Sequence, residues 1–355
     1  MIAINSRFLT QKLTGVQRFA IELSFQLKAK LGNEVVFLTP QNVIHLSVAY
    51  QLEVQTVGKH NGHLWEQWDL PNYLRKIGNP LLLCFGNTAP VLYKNKIDTL
   101  HDITFIRYPD TFSRKFLLYY KSMIPLILRT SKHLFTVSEF SKMEIASYYH
   151  IDPKRISVIY NAVNPIFRPM KDDKLSYEKY IIAVSSLKEN KNFVTAFRAY
   201  MLARQRVSGL KFYIVGDVYS DSFKRQDSFI NELKADKDVR ILGRISDDEL
   251  IRYYSNAQVF VFPSFYEGFG IPVLEAQACE CPVVAASSSS LPEVLGSSAL
   301  LCDPNKPEDF ADSICRIIAD ETLRKRLIEA GHENVKRFSW KKSAEKIIQI
   351  IQGAD

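Results

Sequence analysis

Short apolar runs alternate with longer segments of helical periodicity along the whole chain. The short runs are rich in Val, Ile, Leu and Phe, which is typical of parallel strands buried on both faces. The longer segments repeat apolar residues every three or four positions, which predicts helices that pack on a sheet. Together the two patterns predict an α/β fold with parallel sheets.

The pattern predicts two series of elements. The predicted strands cover residues 2–4, 35–38, 81–85, 97–100, 133–137 and 156–159, then 180–184, 211–215, 239–242, 259–262, 283–286 and 299–301. The predicted helices cover residues 16–31, 113–129 and 139–150, then 194–204, 247–255, 271–278, 307–319, 323–334 and 340–351. Ser246 and Glu249 form a capping box at the start of the 247–255 helix.

A proline-containing segment with charged neighbours, residues 161–173, separates the two series. A chain of 355 residues exceeds one typical core, so we expect two Rossmann-like domains of ordinary size. Ligands of such sheets bind beyond the carboxyl ends of the strands. If the two sheets face each other, the site lies in an interdomain cleft.

The net charge of +8 is concentrated in the first half of the chain. Residues 1–170 carry 20 Lys and Arg against 11 Asp and Glu, a net charge of +9, and the remainder carries −1. The helix predicted over residues 113–129 interleaves basic and apolar side chains. It fits a helix lying on an anionic membrane surface and equally an ordinary helix with a solvated basic face. No nucleic-acid motif accompanies the charge, so we expect no nucleic-acid partner.

The remaining composition indicates a cytoplasmic protein. Five cysteines, odd in number and mostly in apolar contexts, indicate reduced thiols rather than a disulfide framework. Cys279 and Cys281 have the wrong spacing for a zinc site. No apolar run approaches the roughly 20 residues of a membrane span, and the first residues lack a secretory signal.

Residues 264–275, Ser-Phe-Tyr-Glu-Gly-Phe-Gly-Ile-Pro-Val-Leu-Glu, are the best candidate site. They join a predicted buried strand to a helix through a turn with Gly268 and Gly270. The unpaired amides and dipole at a helix N-terminus bind phosphate groups, and Pro272 suits the first turn because it needs no N–H. Glu267 and Glu275 would suit the hydroxyls of the same ligand, as in a nucleotide-sugar. Alternatively, the glutamates are only dipole partners of a tight connection.

Together with several flanking segments, this stretch resembles glycosyltransferase family 4, the retaining enzymes of the GT-B fold. Residues 267–275 resemble the paired-glutamate motif of the family, and residues 243–250 resemble its loop beside the nucleotide base. The segments 282–286, 291–294 and 338–340 also match. In the first half the matching segments are 14–18, 100–104, 137–141 and 160–163.

Three positions depart from the pattern of the family. Ser185 replaces a glycine after the first strand of the second half, and Asn190 precedes Lys191 where the family often has Arg-Lys. The linker carries Ala162 and Asn164 in place of Gly and Asp. These departures leave Lys191 as the main cation for a diphosphate.

The resemblance implies three regions with separate roles. Residues 1–170 would form the acceptor-binding domain and residues 171–337 the nucleotide-sugar domain, with residues 338–355 crossing back to the first. It also implies a reactive centre and a sugar-donor site. The implied catalytic residues are His101, Asp102 and Glu267, and the implied donor-binding residues are Gly15, Lys191, Arg244, Phe269, Gly270, Ile271 and Glu275.

The implied roles follow from the reaction, in which negative charge builds on the departing diphosphate. Lys191, the loop at Gly15 and the amides near residues 269–271 would stabilise that charge. Glu275 would accept from the ribose and Glu267 would contact the sugar. His101 would bond the sugar near its anomeric carbon, and Asp102 would orient it. Taken alone, Lys191 could be a solvated loop lysine, Gly15 a turn glycine and His101 a structural histidine.

The implied reaction is retaining transfer of a hexose, with no protein nucleophile, metal or cofactor. Residues 101–109 resemble bacterial polysaccharide mannosyltransferases, which favours GDP-mannose as the sugar donor. The acceptor would be a saccharide, lipid-linked at the inner face of the cytoplasmic membrane, in surface polysaccharide or lipopolysaccharide assembly. The pattern Asp236-Lys-Asp238 matches metal-using transferases of another fold, but here it reads as a charged turn.

Three other functions remain open at this point. A nucleotide-sugar epimerase of the same fold would isomerise the sugar donor without transfer. A nicotinamide-dependent oxidoreductase is disfavoured because Val273 stands where the third glycine of its motif belongs. A non-catalytic nucleotide-sugar-binding protein would not need His101.

Overall fold

The computed structural model describes residues 1–170, 172–216 and 227–353. Its internal contacts divide the chain into two compact units, each built on one parallel sheet. The N-unit comprises Met1–Ile103, Arg114–Asn161 and Ser339–Asp355, and the C-unit comprises Thr104–Ser113 and Ala162–Phe338. The expected α/β class is therefore confirmed in each unit.

The strands and helices alternate as their sequence patterns predict. The strands are β1 Ile2–Asn5, β2 Val35–Thr39, β3 Gln55–Thr56, β4 Leu81–Cys84, β5 Lys96–Thr99, β6 His133–Thr136, β7 Ile156–Val158, β8 Tyr180–Val184, β9 Lys211–Val215, β10 Val239–Gly243, β11 Val259–Phe262, β12 Val283–Ala286 and β13 Leu300–Cys302. The helices are α1 Gly15–Leu31, α2 Leu46–Leu52, α3 Gly62–Leu64, α4 Leu70–Lys76, α5 Thr104–Arg107, α6 Arg114–Thr130, α7 Glu139–Tyr149, α8 Asp173–Ser176, α9 Phe193–Arg204, α10 Asp227–Ala235, α11 Asp247–Asn256, α12 Ile271–Ala278, α13 Leu291–Leu295, α14 Pro307–Ala319, α15 Glu321–Lys336 and α16 Trp340–Gln352.

The N-unit sheet has the strand order β3-β2-β1-β4-β5-β6-β7, with every pair parallel. Ile2 of β1 lies between Val35 of β2 and Leu81 of β4. The chain order reverses at β1, so the carboxyl ends of β1 and β4 form a topological switch point, where sheets of this kind bind ligands.

The last helix belongs to the N-unit and packs on its first helix. The ring of Trp340 lies 6.0 Å from that of Phe19 in an edge-on arrangement. Lys30 pairs with Glu345 at 2.8 Å, and Ser343 Oγ donates to the carbonyl of Tyr160 at 2.7 Å. These contacts of its buried face therefore hold α16 on the N-unit.

The C-unit sheet has the order β10-β9-β8-β11-β12-β13, also parallel throughout. Its switch point lies between the carboxyl ends of β8 and β11. Gly216, directly after β9, has φ +136°, and a Cβ there would lie 2.0 Å from the carbonyl oxygen of Ser185. Glycine at 216 thus lets two neighbouring strand ends approach closely.

All twelve predicted strands are present, with each end within one residue of its expected position. The nine predicted helices are present within two residues, and the Ser246–Glu249 capping box forms as expected. The elements that the pattern missed are β3 and the helices α2–α5, α8, α10 and α13, which span nine residues or fewer. Elements this short rarely show a full hydrophobic period.

The structure also describes the cysteines and bears on the possibility of a membrane span. All five cysteines are free thiols, four of them buried. Within the described ranges, no helix combines the length and the apolar character needed to cross a bilayer.

Candidate active site

The turn between β11 and α12 is fixed by three serines that follow β12. Ser289 Oγ accepts from the Glu267 amide at 3.0 Å, and Ser290 Oγ donates to the Glu267 carbonyl at 3.0 Å. Ser288 Oγ donates to the carbonyl of Ser264 at 2.8 Å. The backbone of the turn therefore cannot shift without breaking contacts to the neighbouring strand end. Sequence reasoning missed these serines, although a run of four after a predicted strand was a usable signal.

Lys191 and Glu267, 76 residues apart, form a two-pronged ion pair. Lys191 Nζ lies 2.7 Å from Glu267 Oε1 and 2.8 Å from Oε2, and the side chains are 20% and 10% exposed. A short 3₁₀ turn, Glu189–Lys191, presents the lysine. Asn190 fastens that turn by donating to the Tyr266 carbonyl at 3.2 Å. The structure thus brings together a predicted phosphate ligand and a predicted sugar ligand.

The N-terminus of α12 has the features of an anion site. Gly270 adopts φ +93° at its N-cap and, as a glycine, has no side chain that could cap the helix. The Pro272 ring occupies the first turn. Ile271 is nearly buried, and the Phe269 ring packs edge-on against Phe338 at 5.3 Å. Residues 269–271 can therefore offer a ligand backbone amides rather than side chains.

Glu275 and Arg244 belong to the same C-unit. Glu275 lies just beyond the first turn of α12, with the residue 6% exposed. Arg244 follows β10 directly, is exposed, and lies at the carboxyl edge shared by all six parallel strands. The preceding Gly243 has φ +69°, which turns the chain out of the strand.

His101 lies at the carboxyl edge of the N-unit sheet, two residues after β5. Its Nε2 is 3.0 Å from the carbonyl of Phe85, and its ring packs edge-on against Phe19 at 4.8 Å. Asn87 Oδ1 accepts from the His101 amide at 2.8 Å. Because a carbonyl only accepts, Nε2 carries the proton, and Nδ1 is left as an acceptor.

The protonation of His101 follows from its burial. Burial lowers the pKa of His101, and the Phe85 carbonyl and Asp102, which act in the opposite direction, do not cancel that effect. The imidazole is therefore neutral at pH 7. Asp102, adjacent in sequence and half-buried, acts on His101 through its charge.

Gly15 and Asp236 complete the set of predicted positions. Gly15 is exposed and begins α1, whose N-cap Thr14 makes no side-chain cap. Asp236 pairs with Arg204 and accepts from the Asp238 amide at 3.0 Å, which makes it part of a turn. No group of three His, Cys, Asp or Glu with metal-site geometry occurs in the part of the chain that the structure describes.

Comparison of the sequence with known proteins identifies the family of the chain. The profile of the family described as "Glycosyltransferase Family 4" matches residues 13–167, and that of "Glycosyl transferases group 1" matches residues 169–334. An O-antigen chain mannosyltransferase, RfbU of Salmonella typhimurium, is 31% identical over 72% of this chain and 70% of its own length. The chain belongs to glycosyltransferase family 4.

Other relatives agree with this membership. The O-antigen chain mannosyltransferase B of Escherichia coli is 27% identical over 74% of this chain and 71% of its own length. Among solved structures, Anabaena Alr3699/HepE with UDP and glucose has a TM-score of 0.75 and 19% identity, with 99% and 98% of the two chains covered. WaaG, a glycosyltransferase involved in lipopolysaccharide biosynthesis, has a TM-score of 0.73 and 14% identity, with 99% and 100% covered.

These findings confirm the predicted GT-B fold and glycosyltransferase family. The protein is therefore a glycosyltransferase, which sets aside the oxidoreductase alternative. The individual roles of the ten predicted site residues stay predictions, as does the cleft between the units.

Proposed function

We propose that this glycosyltransferase transfers mannose from GDP-mannose to a saccharide hydroxyl, with retention of configuration and without a metal. The names of its relatives support a role in bacterial surface polysaccharide assembly, because two of them are O-antigen mannosyltransferases. The observation that carries the proposal is the Lys191–Glu267 pair at the β8–β11 switch point of the C-unit.

The ion pair suits a site that exchanges partners when its ligand binds. A diphosphate attracts Lys191 and the positive end of the α12 dipole, both of which stabilise negative charge. Once Lys191 turns to the phosphate, the Glu267 carboxylate is free to accept from sugar hydroxyls. Glu275 accepts from the ribose, and Arg244 and Gly15 complete the nucleotide and phosphate contacts.

His101 provides a neutral acceptor in the N-unit. With its Nε2 proton committed to the Phe85 carbonyl, Nδ1 accepts from a hydroxyl of the transferred sugar near the anomeric carbon. Asp102 stabilises the positive charge that develops on the transferred sugar. The bond from the anomeric carbon to the diphosphate breaks, and the acceptor hydroxyl attacks that carbon from the same face. The departing diphosphate, held by Lys191, takes the acceptor proton.

The exposed face of α6 supports a peripheral contact with an anionic membrane. The buried residues Ile124, Ile127 and Leu128 lie on its inner side. The outer side combines basic and apolar residues, namely Arg114, Lys115, Leu118, Lys121, Leu126 and Arg129. We propose that this face holds the enzyme at the inner surface of the cytoplasmic membrane, where a lipid-linked saccharide is within reach.

A panel of nucleotide-sugars tests the sugar donor. GDP-mannose at about 100 times its Kd is expected to stabilise the protein by about 2.7 kcal/mol, seen as a higher unfolding temperature, and UDP-glucose less. Incubation with GDP-mannose alone is expected to give slow hydrolysis and no isomer of the sugar. Isomerisation without transfer would favour the epimerase alternative, and the absence of any shift across the panel would overturn the proposal.

Vesicle sedimentation tests the membrane contact. Replacement of Lys115 and Lys121 by Ser is expected to weaken binding to phosphatidylglycerol vesicles about tenfold or more, since each basic residue contributes about 1 kcal/mol. Replacement of Lys94 and Lys154, exposed lysines elsewhere in the N-unit, is the matched control. Equal binding of both double variants would contradict the assignment to α6.

A further inference from the structure

The N-unit has its own polar cluster at its switch point, and the proposed chemistry does not use it. Asn5 ends β1 and Cys84 ends β4, and Asn5 Nδ2 lies 3.7 Å from Cys84 Sγ. The same Nδ2 donates to Glu66 Oε1 at 2.7 Å. The carboxylate of Glu66 therefore sits at the sheet edge that also carries His101, one strand further along.

One oxygen of Glu66 is fully occupied. Oε1 accepts from Asn5 and from Arg7 Nε at 3.1 Å, and Arg7 Nη2 donates to Thr88 Oγ1 at 2.7 Å. Burial alone would raise the pKa of Glu66, but Arg7 and the neighbouring His63 and Thr88 outweigh it and lower the pKa to about 2. Glu66 is therefore ionised at neutral pH while only 1% exposed.

The other oxygen of Glu66 faces a histidine. His63 Nδ1 lies 3.5 Å from Oε2, an ion-pair distance longer than a good hydrogen bond, and both atoms are buried. The Tyr119 ring lies 4.2 Å from the imidazole at a 40° tilt. In the neutral imidazole, a carboxylate beside Nδ1 holds the proton there, which leaves the lone pair on Nε2.

The imidazole is reachable on its far side. The His63 side chain is 39% exposed although its Nδ1 is buried, so solvent reaches the side chain away from Nδ1. The arrangement is thus a half-buried imidazole, oriented by a buried carboxylate and open to solvent on one side. An Arg–Glu pair that served only to stabilise the fold would not need an exposed imidazole placed against its second oxygen.

The backbone that presents this dyad is unusual. Between α3 and α4 the helix widens into a π-helical turn, Trp65–Asp69, a feature that is frequent at functional sites. Trp65 anchors the turn, fully buried and donating to the Val57 carbonyl at 2.7 Å. Gln67 fastens it to the loop after β4 through bonds to Ala89 and Val91, each 2.9 Å long.

We propose that the His63–Glu66 dyad is the site where a hydroxyl of the acceptor saccharide is recognised. This inference rests on the proposed function. Nε2 of His63 accepts the hydrogen bond, and Glu66 is a positioning residue that fixes the tautomer. The ligand class is a neutral sugar, because Arg7 and Glu66 balance each other and leave no charge for an anion to pair with.

The test separates acceptor recognition from sugar-donor binding. His63→Gln in the full chain is expected to raise the KM for methyl α-mannoside about three- to tenfold, as loss of one hydrogen bond predicts, with kcat less affected. Hydrolysis of GDP-mannose without acceptor and its thermal shift are expected to stay at the wild-type level. His332→Gln is the control, since that imidazole is 40% exposed and pairs with Glu280 in the C-unit.

A binding measurement keeps the proposal independent of turnover. In NMR spectra of imidazole-labelled protein, methyl α-mannoside is expected to move the His63 ring signal and leave that of His332 in place. If the His63 signal moves while no nucleotide-sugar binds, the saccharide site is supported and the proposed function is contradicted. An unmoved His63 signal, or an unchanged acceptor KM in His63→Gln, would overturn the inference.

Discussion

The two units carry the same kind of pair at equivalent points of their sheets, yet the pairs differ in burial and in number of partners. In the C-unit, Lys191 and Glu267 are 20% and 10% exposed, and among the residues that the structure describes the lysine head group donates only to the glutamate. In the N-unit, Arg7 and Glu66 are 8% and 1% exposed and are shared with Asn5 and Thr88.

The difference separates a pair that can open from one that cannot. A single partly exposed ion pair contributes little stability, so a ligand can replace one partner at small cost. A buried pair within a network leaves an uncompensated charge when either partner is lost. We infer that the C-unit pair serves ligand exchange, and that the N-unit pair is a fixed support for His63.

The largest expected effect is a loss of stability when the Arg7–Glu66 pair is broken. Glu66→Ala leaves Arg7 buried without a counter-charge and is expected to lower the free energy of unfolding by about 3–5 kcal/mol, measured by urea denaturation. Glu267→Ala, at the other pair, is the matched control and is expected to cost much less. Equal losses in the two variants would erase the distinction.

The pH dependence of the same variant has a definite sign. The pKa of Glu66 is lowered to about 2 in the folded protein, so its stabilisation is complete above the ordinary value near 4.5 and is lost as pH falls toward 2. The stability difference between wild type and Glu66→Ala should therefore shrink across that range. A difference independent of pH between 2 and 5 would contradict the ionised state.

At the Lys191–Glu267 pair the expected loss is in activity rather than in stability. Lys191→Met removes the cation from the departing diphosphate and is expected to reduce kcat about 10²- to 10³-fold, with little change in urea midpoint. Lys237→Met, at an exposed lysine in the same unit, provides the control. A stability loss as large as that of Glu66→Ala would show that Lys191 is a structural residue.

Replacing arginine by lysine at one pair, and lysine by arginine at the other, is expected to have a smaller effect on stability. Arg7 uses Nε for Glu66 and Nη2 for Thr88, and a lysine cannot serve both directions. Arg7→Lys is expected to cost about 1–3 kcal/mol in thermal unfolding because a buried partner is left unsatisfied. Lys191→Arg keeps a charge at its pair and is expected to leave stability unchanged.

The smallest expected effect concerns Asp98, a fully buried acid on β5. Burial raises its pKa well above the ordinary value, with Lys96 opposing and Glu66 adding to the shift. The folded protein therefore favours the protonated acid, and stability is lost as pH rises above about 4 toward the raised value. Asp98→Asn is expected to gain about 1 kcal/mol at pH 8 and nothing at pH 4. Equal gains at both pH values would show that ionisation plays no part.

Local pattern was enough to predict most of the fold. Strands such as Val259–Phe262 and helices such as Pro307–Ala319 appear at their expected positions because each buries a regular apolar face. The π-helical turn Trp65–Asp69 was missed, since a widened turn with Pro71 close behind it breaks the 3.6-residue period. Glu66 was passed over for the same reason.

The sequence by itself determined the α/β alternation, the glycine turn before α12 and the residue types at the candidate site, because these depend on neighbours within a few positions. Only the tertiary structure decided that Lys191 meets Glu267, 76 residues away, and that Arg7 meets Glu66, 59 residues away. Those pairings follow from which strand ends lie side by side at the β8–β11 and β1–β4 switch points. The order of strands in a sheet is set by long-range packing, which local periodicity does not encode.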